Sequence, residues 1–211
     1  DGIRDYKVTG VQTCALPIFT GYHGYWPASE SALEEHFGDE AKLKELIDKA
    51  HQRRIRVLVD WVGNHVHSSH SWVEDHPDWF SPQHICKDDD DGDGVSNWDQ
   101  RPETCWFASY LPDIRYYETE PLTTMVDDAV AFAKTYEIDG YRVDAVKHMP
   151  QSLHWNMQSR IRDEIEHRDA GGDEEFYTVG ETFTGDRGLI ASYVGEHELD
   201  GQFDFPQIGR A

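Results

Sequence analysis

Basic side chains are scarce in this chain: 19 Lys and Arg stand against 41 Asp and Glu, a formal net charge of −22 over 211 residues. So acidic a surface repels phosphate backbones and anionic headgroups, which argues against nucleic acid or a membrane surface as partner. Long hydrophobic runs are absent too, and no stretch approaches the ~20 apolar residues of a membrane span. Cysteine is sparse, at three residues. Two of them, Cys86 and Cys105, bracket an acidic loop. They are either a disulfide of an exported protein or two free thiols of a cytosolic one.

Aromatic residues are plentiful, with seven Trp and ten Tyr. Their faces can stack on the C–H faces of neutral sugars, which an acidic surface does not repel, although most aromatics in any protein are core. Periodicity places helices at 41–53, 121–136, 153–167 and 187–194 and strands at 55–59, 176–181 and 199–205, with another leading into Asp144. Alternating strands and helices call for a parallel sheet with right-handed crossovers. Residues 66–117 lack periodicity and are rich in His, Asp, Pro and Trp. A loop this long fits an inserted subdomain better than a connection.

The chemistry centres on Asp139-Gly-Tyr-Arg-Val-Asp-Ala-Val-Lys-His148. On a strand, Arg142 and Asp144 project from one face. A cation there favours the ionised carboxylate, as a nucleophile requires, so Arg142 is expected to lower the pKa of Asp144. Two other strands end in acids: Arg56-Val-Leu-Val-Asp60, followed by Asn64-His65, and Phe176-Tyr-Thr-Val-Gly-Glu181. Reactive groups of parallel barrels sit where strands end, so Asp60, Asp144 and Glu181 are expected in one cleft.

These segments, with Gly21-Tyr-His-Gly-Tyr-Trp26 and Leu111-Pro-Asp113 in the same order, resemble the conserved regions of the alpha-amylase superfamily of retaining glycoside hydrolases. The resemblance implies an α/β chain forming a partial (β/α)8 TIM barrel, with an irregular inserted subdomain after the third barrel strand. It assigns Asp144 as nucleophile and Glu181 as acid/base, about 5 to 5.5 Å apart in a retaining site. An apolar approach through Tyr177 and Val179 would raise the pKa of Glu181. His23 and Tyr25 would contact the sugar beside the scissile bond, and His65 and Arg142 would hydrogen-bond it. Lys147 and His148 would hold the glucan on the leaving-group side, and Asp60 would support the site. Other histidines, His51, His154, His167 and His197, are read as surface or helix residues.

Calcium is the implied cofactor, held by the Asn64 side chain, Asp113 and the His148 backbone carbonyl, hard oxygen donors suited to that ion. A second candidate is the run from Asp89 to Asp99, whose Asp89, Asp91 and Asp93 match the Asp-x-Asp-x-Asp-Gly pattern of calcium loops. It departs from that pattern in closing on Gln100, and the alternative is a solvated acidic turn.

Both termini resemble translated short-read sequencing adapter. Residues 1–18 and 207–211 are therefore expected to be artefact, flanking barrel segments 19–65 and 118–206 and the subdomain 66–117. The superfamily's late His-Asp pair has no match here, and the first barrel strand is expected to be missing. The expectation is an inactive fragment of an extracellular or periplasmic α-1,4-glucan hydrolase acting on starch or maltodextrin. The alternatives are an α-glucan transglycosylase and a non-catalytic carbohydrate-binding relative.

Overall fold

The computed structural model describes residues 23–29, 32–33, 36, 38–166 and 176–208. Segment 1–18, Gly21, Tyr22, His167 and residues 209–211 lie outside the described residues.

Helix α1 (Glu40–His51) begins where the Asp39 carboxylate accepts from the Lys42 amide, and it buries Ile47. The chain then enters β1 (Leu58–Trp61), buried at all four positions. That strand starts three residues later than the β-branched run suggests; just before it, Val57 exchanges bonds with Asp139, its carbonyl accepting from the Asp139 amide at 2.9 Å and its amide donating to the Asp139 side chain. Asp139 accepts from the Val57 amide at 2.7 Å and from Arg56 at 2.6 Å, and it lies 2.7 Å from His51 Nε2. His51 is thus tied to the foot of the sheet.

Helix α4 (Thr119–Tyr136) leads into β2 (Gly140–Val143), and α5 (Gln151–Ile161), prolonged by a π-helical turn at Arg162–Glu166, leads towards β3 (Tyr177–Gly180). Helix α6 (Arg187–Ser192) precedes β4 (Gly201–Gln202), a strand much shorter than the apolar pattern 199–205 suggested, because a helix, α7 (Phe205–Ile208), takes over the end of that pattern. The four strands are parallel and lie in the order β1-β2-β3-β4. Each crossover adds its strand beside the last, which is the winding of a barrel and not of a doubly wound sheet.

Burial explains which way each strand faces. Tyr141 and Val143 of β2 point to the helices, and the Tyr141 hydroxyl donates to the Ala129 carbonyl of α4 at 2.7 Å. The core between sheet and helices contains Val57, Val59, Met125, Val130, Leu153, Met157 and Ile161. His154 belongs to this buried layer. Of the surface and helix positions expected for it, it takes the helical one, on the inward side of α5, where it is fully buried and burial holds its pKa down at about 4. The opposite face of the sheet carries Asp60, Arg142 and Val179 in one register row.

Two glycines are dictated by space. A Cβ on Gly140 would sit closer than 3.0 Å to the Tyr177 carbonyl carbon, and one on Gly180 would meet Leu199 and Val146 at 2.7 and 2.8 Å.

Residues 66–117 are irregular but packed. They hold α2 (Ser71–Asp75), a 3-10 turn at Pro77–Trp79 and α3 (Asn97–Gln100), with Trp79, Cys86, Cys105, Leu111 and Ile114 buried. Cys86 and Cys105 are joined in a disulfide.

Candidate active site

The strand ladder positions the central acids. Trp61, Val143 and Gly180 are in register, and the ladder runs one residue further through Asp144 N to Trp61 O at 3.0 Å and Glu181 N to Val143 O at 2.9 Å. Asp144 and Glu181 therefore stand side by side just beyond the C-terminal ends of β2 and β3. Asp60 sits one level lower, inside β1 and opposite Arg142, and is not strand-terminal as its sequence setting suggested.

Arg142 holds the cluster together. Its Nη1 donates to Asp144 Oδ1 at 2.6 Å, its Nη2 donates to Glu181, and its Nε lies 3.9 Å from Asp60 Oδ1. The guanidinium also lies between two rings, 5.6 Å from the Tyr25 centroid and 5.8 Å from that of Phe203. Tyr25 completes the row by donating from its hydroxyl to Asp60 Oδ2 at 2.6 Å.

Electrostatics correct one expectation. Burial raises the pKa of Asp144, and although Arg142 and a hydrogen bond from Glu181 oppose it, the net shift is upward, not downward. A desolvated carboxylate loses more than one guanidinium, shared with Glu181 and Asp60, returns. Glu181 is also raised, first by burial; Arg142 pulls it down, while the Asp144 charge and the hydrogen bond it gives Asp144 push it further up. Burial thus favours the protonated form of both carboxyls, and their mutual interaction lowers Asp144 while raising Glu181.

The mouth is lined by the aromatic loop. His23 Nδ1 accepts from the Tyr25 amide at 3.1 Å, and its ring lies 5.9 Å from that of Tyr25, nearly parallel. His65 is buried and neutral, its pKa lowered to about 4 by burial, and its Nε2 gives a proton to the Tyr25 carbonyl at 3.1 Å. Lys147 and His148 follow β2 through a turn in which Ala145 adopts φ 51°. Both are largely buried, against Trp98, Asp99 and Pro102.

Three sequence-distant oxygens also converge. With Nε2 of the neutral His65 protonated, its Nδ1 is an acceptor, so the Asn64 amide nitrogen, 3.3 Å away, faces it. The Asn64 oxygen then lies 2.8 Å from the His148 carbonyl and 3.3 Å from Asp113 Oδ1. Asp113 is fully buried, its Oδ2 has no hydrogen-bond partner, and burial raises its pKa well above the usual range. Facing acceptors around an orphaned carboxylate fit a hard cation.

The Asp-rich loop does not form such a set. Asp89 accepts from the Gly92 and Gly94 amides, Asp91 pairs with Arg101, and Asp93 accepts from Val95 N and Gln100. Among the described residues the one group of three His, Cys, Asp or Glu ligand atoms within 4.8 Å of one another is Cys86, Cys105 and His148. Its two sulfurs are spent in the disulfide. In this structure the acidic turn is held by its own backbone and by Arg101.

Sequence reasoning missed Phe203 under Arg142, and Trp98, Asp99 and Pro102 against Lys147 and His148. Only the bracketing cysteines hinted that the second group is held in place.

Residues 5–209 match the family model for the alpha amylase catalytic domain. An alpha-amylase of Streptomyces lividans is 25% identical over 251 residues, covering 95% of this chain and 27% of that protein. The crystal structure of an alpha-amylase from Geobacillus thermoleovorans complexed with acarbose superposes with a TM-score of 0.79 at 32% identity, covering 95% of this chain and 42% of that one. The alpha-amylase structure from Anoxybacillus gives 0.80 at 30% identity, covering 96% and 42%. The chain thus spans well under half the length of these relatives.

Proposed function

Because this chain belongs to the alpha-amylase family, we propose that the protein containing it is a glycoside hydrolase that cleaves α-1,4-glucosidic bonds of starch-like glucans with retention of configuration. The observation that carries this reading is the Arg142 guanidinium donating to both Asp144 and Glu181 at the ends of adjacent strands.

In the proposed reaction Asp144 attacks the anomeric carbon while Glu181, which holds the proton, gives it to the leaving oxygen; Glu181 then draws a proton from water for the second displacement. Arg142 opposes the effect of burial on Asp144 and aims its oxygen. Asp60 holds the Tyr25 hydroxyl, so that the ring of Tyr25 is set to stack on the sugar beside the cleaved bond. His23 and His65 fix the two ends of this tyrosine's backbone.

Asn64, Asp113 and the His148 carbonyl would hold Ca2+. When bound, that ion supplies positive charge to the buried Asp113 and joins the end of β1, the inserted subdomain and the turn after β2. The disulfide supports an exported, extracellular or periplasmic protein, and among the described residues no helix is long and apolar enough to cross a membrane.

The test is product analysis of the full-length protein on amylose, with the anomer released first read by NMR. The α-anomer of shortened linear glucans is expected. Release of the β-anomer would overturn retention, and cyclic or lengthened glucans would replace hydrolysis with transfer.

A further inference from the structure

The loop closed by Cys86–Cys105 reaches over the turn that follows β2 and touches Lys147 and His148 through three of its residues. The Pro102 carbonyl lies 2.7 Å from His148 Nδ1, which donates to it. The Trp98 ring packs 4.3 Å from the His148 imidazole, and the Lys147 ammonium stands 4.5 Å from the centroid of the same indole. Asp99 Oδ1 is 3.4 Å from Lys147 Nζ.

Trp98 is itself anchored to the crosslink. Its amide donates to the Cys86 carbonyl at 2.7 Å, and the preceding Asn97, fully buried, donates to the Ile85 carbonyl at 3.0 Å. Phe107 closes the far side of His148 edge-on at 4.8 Å. One indole therefore holds an ammonium and an imidazole at once, from a segment whose place is set by the disulfide. An ammonium over an indole gains from the ring quadrupole, most strongly where water is excluded. Without the ring, a flexible Lys turns its charge to solvent.

We propose that Trp98 is a positioning residue that sets Lys147 and His148 against the leaving-group side of the cleft, so that the disulfide-closed loop determines how tightly the leaving-group sugars are held. This deepens the glucan-hydrolase reading and rests on it.

The experiment compares two substrates in the full-length protein. Amylose fills both sides of the cleavage point, whereas a nitrophenyl maltotrioside cleaved at its aryl bond makes no sugar contact on the leaving-group side. Trp98→Ala is expected to raise KM for amylose about tenfold, the size of one lost polar contact. It should leave kcat within about twofold, the pattern of lost uniform binding, and leave the aryl substrate unaffected. Trp98→Phe, which keeps a ring, should restore most of the amylose KM.

An unchanged amylose KM, or equal losses on both substrates, overturns the proposal. A wild-type protein inactive on both substrates would instead refute the glucan-hydrolase reading. If Trp98→Ala does not fold, Asp99→Ala carries the test from an exposed side chain. A rise in amylose KM of about two- to threefold, typical of an exposed ion pair, is then expected, and no change overturns the proposal.

Discussion

Arg142 and Asp144, two residues apart on one strand, face the same way, and Nη1 of the first donates to Oδ1 of the second at 2.6 Å. The other arm of the same guanidinium reaches Glu181 on the neighbouring strand. Two carboxyls that would repel each other are thereby held in one place by a single fork.

A lysine cannot reproduce that fork. Arg142→Lys in the full-length protein is expected to lower kcat/KM on amylose by about 10² to 10³, the scale of losing a preorganised charge contact. Steady-state kinetics check it, and more than about a third of wild-type activity would show that the bridge is dispensable.

Acid stability should bear the signature of the same pair. Both carboxyls have pKa values raised in the folded state, so the native state binds protons more tightly than the unfolded chain. Their contribution is fully present below the ordinary carboxylate values and declines as pH rises through the raised ones. Urea midpoints from about pH 4 to about pH 7 should fall less steeply for Asp144→Asn/Glu181→Gln than for wild type. A steeper fall would mean that burial does not dominate these groups.

Asp113 is raised for a different reason: it is buried with an unpaired oxygen. Calcium in large excess should raise Tm by about 5 °C or more, given the linkage expected at saturation. Asp113→Asn should abolish that response. A variant that still gains stability from calcium would place the ion elsewhere.

At the other end of the sheet, Asp139 gathers Arg56, His51 and the Val57 amide. Asp139→Ala would strand the buried Val57 N–H and part the feet of β1 and β2. A loss of about 3 kcal/mol is expected in denaturant unfolding, comparable to breaking a buried charged pair. A loss below about 1 kcal/mol would make the clamp ornamental.

Gly140→Ala tests the closeness of β2 and β3. With no room beside the Tyr177 carbonyl, the added methyl should cost about 2 kcal/mol or more, as overpacking does. A neutral result would mean that the strands part without penalty.

Helix α4 was legible because Val126, Ala129, Val130 and Ala133 repeat at helical spacing and all four are buried. Strand ends were less legible: at the start of β1 the Val57 amide is taken by the Asp139 side chain, a partner 82 residues away in sequence that no local pattern encodes. The acidic loop matched a calcium pattern, but that its carboxylates meet Arg101 and the loop's own amides could not be read from the pattern. For His154, nothing local separates a helix surface from a helix interior.

The identity and order of the candidate site residues, and the faces on which they lie, were determined by the sequence alone, because a two-residue period places Arg142 and Asp144 on one side of any strand. Only the tertiary structure decided what their charges do. Burial, which depends on every element packed around the site, raised Asp144 against the pull of its neighbouring arginine. Likewise the meeting of Asn64 with Asp113, and of Trp98 with His148, depends on how the inserted subdomain folds back over the strand ends, a contact that no local spacing encodes.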